Sequence, residues 1–128
     1  MSRIPVSSAK APAAVGPYVQ GIIAGGLVFT AGQLPLDPAT GHLAEGVAAQ
    51  TRQCLENLKA ILEAAGAGLD KVVKITVFLA DMADFAVMNS VYAGYFPENP
   101  PARSTVGNLS MARGALVEME AVAVAGLP

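Results

Sequence analysis

The chain has 128 residues, of which 53% are hydrophobic and 14% are charged, and its formal net charge is −2. This length suits one domain with a sizeable core, which we predict over residues 1–128. The acidic balance disfavours nucleic acid as a partner, and the single cysteine excludes an internal disulfide. Because no apolar leader or run of bilayer length is present, we expect a soluble cytoplasmic protein that binds no membrane.

The first predicted elements are β-strands. A short edge strand is predicted near residues 4–8, and two apolar runs follow at residues 18–24 and 27–31. Gly25 and Gly26 separate these runs and predict a tight hairpin, because the favoured two-residue turns need positive φ.

The hydrophobic period then changes to that of a helix. From Gly46 the apolar residues recur at helical spacing, and Gly66 indicates where the helix ends. Cys54 falls on the apolar stripe of this helix, which favours a packing role over a reactive thiol. His42, the only histidine, lies beside a turn glycine and is predicted to be solvated.

The second half of the chain contains a strand, a helix and two further strands. Alternating residues predict a strand over residues 70–79, and Asp81 and Pro97 mark the limits of a second helix. Two apolar runs at residues 100–106 and 114–122 are predicted to pair as an antiparallel hairpin.

This order of elements predicts an α+β fold with one mixed sheet and both helices on one face. The strands are apolar on both sides, yet the helices cover only one side. The charged fraction of 14% is also low against the usual value of about 25%. We therefore expect the other face of the sheet to be buried against further copies of the chain.

Charged side chains interrupt the last two predicted strands. Arg103 and Thr105 share one face of the first strand, and Glu118 and Glu120 share one face of the second. In an antiparallel hairpin with its turn at residues 110–113, the arginine lies opposite the glutamates. Arginine can hold a carboxylate through two hydrogen bonds, and a nearby carboxylate can exchange a proton with water. The alternative is that Arg103 only neutralises a glutamate of its own chain.

Other kinds of site find no support in the sequence. One histidine and one cysteine cannot form a zinc site of usual spacing, and a Ser-His-acid triad is disfavoured. There is no glycine-rich loop for a nucleotide and no basic stripe with aromatic residues for nucleic acid.

Four stretches of the chain are specific enough to indicate a family. They are APAAVGPYVQG (11–21), FTAGQLP (29–35), PARSTV (101–106) and GALVEMEA (114–121). Together they resemble the signatures of the RidA (YjgF) family of enamine/imine deaminases, nearly end to end and with matching spacings. The resemblance implies a chorismate-mutase-like α+β fold and a homotrimer whose sheets form a central barrel, with a site in each of three subunit clefts.

The resemblance also implies an activity. It is the hydrolysis of reactive 2-enamine/2-imine acids such as 2-aminoacrylate to 2-keto acids and ammonia, without a metal or organic cofactor. By position, Arg103 corresponds to the residue that grips the substrate carboxylate, and Glu118 to the one that holds the attacking water. The residues that correspond to the lining of the cleft are Tyr18, Gly32, Asn89 and Thr105. The chain departs from common family patterns at Ala31, at Thr105 and at 111–112.

Three alternative functions stay open at this stage. The first is a non-catalytic trimer that binds small carboxylates or keto acids through Arg103. The second is an RNA-directed activity, against which the acidic balance counts. The third is a deaminase for a larger catabolic enamine acid such as aminomuconate, which the volume of the cleft would help to identify.

Overall fold

The computed structural model describes residues 2–125 of the chain. The elements in chain order are β1 (Ile4–Val6), β2 (Gly21–Ala24), β3 (Leu27–Thr30), α1 (Gly46–Ala64), β4 (Val72–Leu79), α2 (Phe85–Tyr95), β5 (Ala102–Val106) and β6 (Val117–Val124). Short 3₁₀ turns precede β4, α2 and β6. In the part of the chain that the structure describes, no helix is long and apolar enough to cross a bilayer.

The six strands form one mixed sheet in the order β1-β2-β3-β6-β4-β5. Every neighbouring pair is antiparallel except β4 and β5, which run parallel because α2 forms the crossover between them. The predicted α+β class with a mixed sheet is confirmed, and both helices pack on the same face. The Gly25–Gly26 hairpin is also confirmed, with φ values of 58° and 79° at the two glycines.

The predicted hairpin between the last two strands is wrong. β4 lies between them, with Ile75 paired to Arg103 of β5 and Thr76 paired to Glu120 of β6. The long strands β4 and β6 bury alternate residues completely, which suits the centre of the sheet, whereas β5 is short and buries none of its residues. The strand-helix-strand unit formed by β4, α2 and β5 therefore decides which strands pair, although β5 and β6 are closer in sequence.

The core lies between the sheet and the two helices. Ile75, Val77 and Leu79 of β4 face the helices and are fully buried. The fully buried stripe of α1 packs in the same cluster and consists of Cys54, Leu55, Leu58 and Leu62. Ile61, also fully buried, packs against Val6 and Ala11. This arrangement fixes which face of each strand is turned toward the helices.

The opposite face of the sheet is not covered by either helix. By the register, Phe29, Val106 and Val124 lie on this face, and 43%, 43% and 45% of their surfaces are exposed. Lys74 and Ser104 lie there too and are joined by a hydrogen bond of 2.7 Å from Nζ to Oγ. We call this surface the open face.

Candidate functional site

Arg103 is held in place by residues of α2. Its Nη1 donates a hydrogen bond to Asn89 Oδ1 at 2.7 Å. The guanidinium carbon lies 4.7 Å from the ring centre of Tyr92 and 5.5 Å from that of Phe85. Such cation–π contacts fix a guanidinium without using its N–H donors, since they involve the ring faces. Asn89 accepts from one of the five donors, so Arg103 keeps donors for a ligand.

These neighbours of Arg103 come from one face of a helix. Phe85, Asn89 and Tyr92 follow each other at spacings of four and three residues, which places them on the same side of α2. Thr105 lies two residues beyond Arg103 on the same face of β5 and is half-buried. We call Asn89, Arg103 and Thr105 the arginine group.

Tyr92 has an unusual environment. Only 5% of its surface is exposed, and within residues 2–125 its hydroxyl is the one buried side-chain polar atom without a hydrogen-bond partner. Burial raises the pKa of Tyr92, and the charge of Arg103 opposes that shift. Tyr92 therefore contacts the Arg103 guanidinium through its ring and not through its hydroxyl.

Glu118 and Gly32 form a second centre. Gly32 follows β3. A Cβ added to Gly32 would clash with Oε2 of Glu118 and lie 3.2 Å from Cδ of the same side chain. A side chain at position 32 would thus displace the carboxylate, so glycine is the residue that admits it. Burial raises the pKa of Glu118, and the nearby charge of Glu120 raises it further. A carboxylate with a raised pKa is suited to take and return a proton nearer neutral pH.

A cavity of about 310 Å³ lies next to this centre. Tyr18, Gly32 and Arg113 are among its walls, and the remaining walls are mainly apolar: Pro12, Ala13, Val15, Leu34, Leu36 and Ala112. We call Tyr18, Gly32 and Glu118 the glutamate group, and the space beside it the side cavity.

Buried amides hold two walls of the side cavity. Asn57 of α1 is fully buried, and its Nδ2 donates to the carbonyls of Leu34 and Leu36 at 3.1 and 2.9 Å. Gln20 donates from Nε2 to the carbonyl of Pro12 at 2.7 Å. Since each amide satisfies backbone carbonyls of an irregular segment, the cavity is built on ordered loops.

The two groups lie apart within one chain. The register puts Arg103 and Thr105 on the helix-facing side of the sheet and Glu118 on the open face. β5 and β6 are also separated by β4, and two strand spacings amount to about 10 Å. The expectation that Arg103 lies opposite Glu118 and Glu120 is therefore wrong. Arg103 is equally unable to neutralise these glutamates from the other side of the sheet.

Four residues that shape the two groups and the side cavity carry no clear signal in the sequence: Asn57, Phe85, Tyr92 and Arg113. The spacing of Phe85 and Tyr92 around Asn89 predicts two aromatic rings on the same side of the helix as Asn89. This pattern indicates a cation site only once Arg103 is known to lie there. Arg113 lies in an irregular segment, where no periodicity indicates the direction of its side chain.

Cys54 and His42, the other titratable residues considered in the sequence, have the environments predicted for them. Cys54 is fully buried, its Sγ donates to the carbonyl of Gln33 at 3.3 Å, and burial raises its thiol pKa. The predicted packing role is thus confirmed, and His42 is exposed as predicted. Among residues 2–125, no cluster of three or more His, Cys, Asp or Glu side chains is placed to hold a metal ion.

Comparisons with known proteins find relatives that match most of the chain. A RutC family protein of Pyrococcus horikoshii is 54% identical over 115 residues, which are 89% of this chain and 91% of the relative. A 2-iminobutanoate/2-iminopropanoate deaminase of Salmonella typhimurium is 49% identical over 122 residues, 93% of this chain and 95% of the relative. The crystal structure of E. coli TdcF with bound serine matches with a TM-score of 0.91 and 42% identity, covering 94% and 98% of the two chains. The family model described as endoribonuclease L-PSP matches residues 8–125, and the chain therefore belongs to that family, the YjgF/RidA family.

Proposed function

We propose that the protein hydrolyses reactive 2-enamine/2-imine acids to 2-keto acids and ammonia. The observation that carries this proposal is Arg103, a half-buried cation that is fixed by Asn89 and two aromatic rings and keeps donors for an incoming acid. The Salmonella relative named as a 2-iminobutanoate/2-iminopropanoate deaminase supports the same reaction class.

The proposed chemistry needs little beyond positioning. Arg103 holds the substrate carboxylate, and a water placed by Glu118 adds through its oxygen to the electrophilic imine carbon as Glu118 takes a proton from it. Glu118 returns this proton to the nitrogen, the C–N bond breaks, and the hydroxyl of the adduct gives up the second proton to the leaving ammonia as the C=O bond forms. For an enamine such as 2-aminoacrylate, protonation of its terminal carbon first gives the imine.

We further propose that two subunits complete each site. Within one chain the arginine and glutamate groups lie on different faces of the sheet, so a three- or four-carbon acid cannot contact both. The open face carries Phe29, Val106 and Val124, each with more than 40% of its surface exposed, and could be buried against another copy. A homotrimer with Arg103 of one subunit facing Glu118 and Gly32 of the next would place three such sites in its clefts.

The activity is tested by adding the protein to a pyridoxal-phosphate serine or threonine dehydratase and following keto-acid formation. Acceleration is expected with the wild-type protein. Arg103→Ala should abolish it while the protein stays folded, because the carboxylate anchor is lost. Glu118→Gln should keep carboxylate binding and slow turnover. Full activity of the Arg103→Ala variant would refute the assignment.

Mixing the two inactive variants tests whether the site is shared. If Arg103 and Glu118 act from neighbouring subunits, unfolding and reassembling equal amounts of Arg103→Ala and Glu118→Gln gives some intact clefts. Random assembly of a closed trimer leaves about a quarter of the clefts with both residues. No recovery in verified mixed trimers would show that the two residues do not act across subunits.

A second candidate is a non-catalytic protein that binds small carboxylates. The TdcF structure with bound serine favours it, since that neighbour holds an amino acid. An unchanged keto-acid rate at saturating protein, with carboxylate binding that Arg103→Ala abolishes, would identify this function instead.

A further inference from the structure

The side cavity contains a cation that the proposed reaction does not use. Arg113 lines it together with Tyr18 and Gly32, and Gly32 in turn contacts Glu118. Within one chain, Arg113 thus shares a cavity with Tyr18 and Gly32 of the glutamate group, whereas Arg103 lies on the other side of the sheet from Glu118.

The backbone at Arg113 adopts a left-handed conformation. Its φ and ψ are 62° and 15°, and Gly114 continues with φ at 73°. A glycine tolerates this region freely, but a residue with a side chain is disfavoured there. Such conformations cluster at ligand sites, where the direction of a side chain matters.

The guanidinium of Arg113 is held by a hydrogen bond to a neighbouring turn. Its Nη2 donates to the carbonyl of Gly41 at 3.3 Å, which ties the segment to the neighbouring turn. This is the hydrogen bond that the structure gives it among residues 2–125, and it uses one of five donors. Donors remain for an anionic group in the side cavity.

The cavity between Gly32 and Arg113 is larger than the smallest substrates require. Its volume is about 310 Å³, and its walls include Val15, Leu34 and Leu36. An imino acid of three carbons would leave most of this space empty. A longer chain with apolar methylene groups and a distal anion would contact the apolar walls and end at the cation.

We propose that Arg113 determines specificity by binding a second carboxylate at the far end of the substrate. The favoured class is then 2-imino dicarboxylic acids with an apolar spacer, such as the imine formed by oxidation of glutamate. This inference rests on the proposed deaminase function. The reaction is the same hydrolysis at the imine carbon, and the distal carboxylate is unchanged by it.

Two substrates of equal carbon number separate the role of the distal charge. Amino-acid oxidases generate the imines of glutamate and norvaline in situ, and semicarbazide traps the imine that is not hydrolysed. Wild-type kcat/KM should favour the glutamate imine. Arg113→Gln should lower kcat/KM for the glutamate imine roughly 10- to 100-fold more than for the norvaline imine, as expected for loss of a charged hydrogen bond. Arg113→Lys should recover part of the difference.

Arg52→Gln is the matched control, since Arg52 is an exposed arginine on α1 away from the cavity and should leave the ratio unchanged. Equal losses on both imines for Arg113→Gln, or a wild-type protein that does not distinguish them, would overturn the inference. If dehydratase-derived imines are hydrolysed and the glutamate imine is not, this inference alone fails. If none of these imines is hydrolysed, the proposed function fails first.

Discussion

Replacing Gly32 with alanine tests whether this glycine is needed to admit the carboxylate of Glu118. The added Cβ would clash with Oε2 of Glu118 and lie 3.2 Å from its Cδ and 3.5 Å from its Cγ. Gly32 is not among the residues with positive φ, so its backbone accepts alanine. The clash must then be relieved by the side chain of Glu118. Forcing it off a preferred rotamer costs about 0.5–1.5 kcal/mol.

Alanine at position 32 meets no such clash when Glu118 is also alanine. No carboxylate is then in the way, and the smaller entropy of the unfolded chain should stabilise the fold by about 0.4–1 kcal/mol. This entropy effect is the same in both backgrounds and cancels, so the two changes are coupled by the cost of the clash, about 0.5–1.5 kcal/mol. Urea unfolding of the four chains at one protein concentration measures this coupling. In the Glu118-containing chain, displacement of the carboxylate should also lower kcat on the order of 100-fold.

Gly94→Ala is the control for the general effect of removing a glycine. Gly94 lies in α2, and a Cβ there meets no atom within 4 Å, so alanine should stabilise both backgrounds equally. If Gly32→Ala destabilises the protein to the same extent with and without Glu118, the carboxylate is not what the glycine accommodates.

Two further substitutions test the supports of the site. Tyr92→Leu should raise KM several-fold with little change in kcat, because it removes the ring beside the Arg103 guanidinium. Tyr92→Phe keeps the ring and should leave KM unchanged. An equal rise in KM for both variants would exclude the cation–π contact as the cause. Asn57→Ala should destabilise the fold by about 2–3 kcal/mol, because the carbonyls of Leu34 and Leu36 lose their donor; a loss below about 0.5 kcal/mol in urea unfolding would show that water replaces the amide.

Local signals explain the parts of the fold that could be predicted. The two glycines of the β2–β3 turn, the helical period of α1 and the alternation of β4 each depend on neighbouring residues, and all three elements are present. The alternation of side chains also correctly placed Arg103 with Thr105 and Glu118 with Glu120 on common faces. Such features need no knowledge of what packs against them.

Pairing between distant strands could not be predicted in the same way. The insertion of β4 between β5 and β6 depends on the crossover through α2 and on two long strands that both require burial. This one difference moves Arg103 from the side of the glutamates to the side of the helices. The arrangement of the site therefore follows from topology, whereas charges on apolar strands already indicated Arg103 and Glu118 as candidates, and the resemblance to a family suggested their roles.

The raised pKa of Glu118 predicts opposite effects of pH on stability and activity. Burial, and then the charge of Glu120, disfavours the ionised form in the folded chain. The folded state thus binds the proton more tightly than the unfolded state. This contribution to stability is complete below the ordinary pKa of 4.5 and is lost as pH rises through the folded-state pKa. Activity needs the carboxylate and should rise over the same interval.

Unfolding by urea and kcat/KM, both measured from roughly pH 4 to pH 8, test this prediction. Glu118→Gln cannot ionise and should lack the fall in stability, and Glu120→Gln should move both curves to lower pH. Wild-type stability that rises with pH through the interval in which activity appears would contradict the reasoning. If a neighbouring subunit brings Arg103 to this carboxylate, Arg103→Ala will move the stability curve to higher pH, because the cation that favours ionisation is gone.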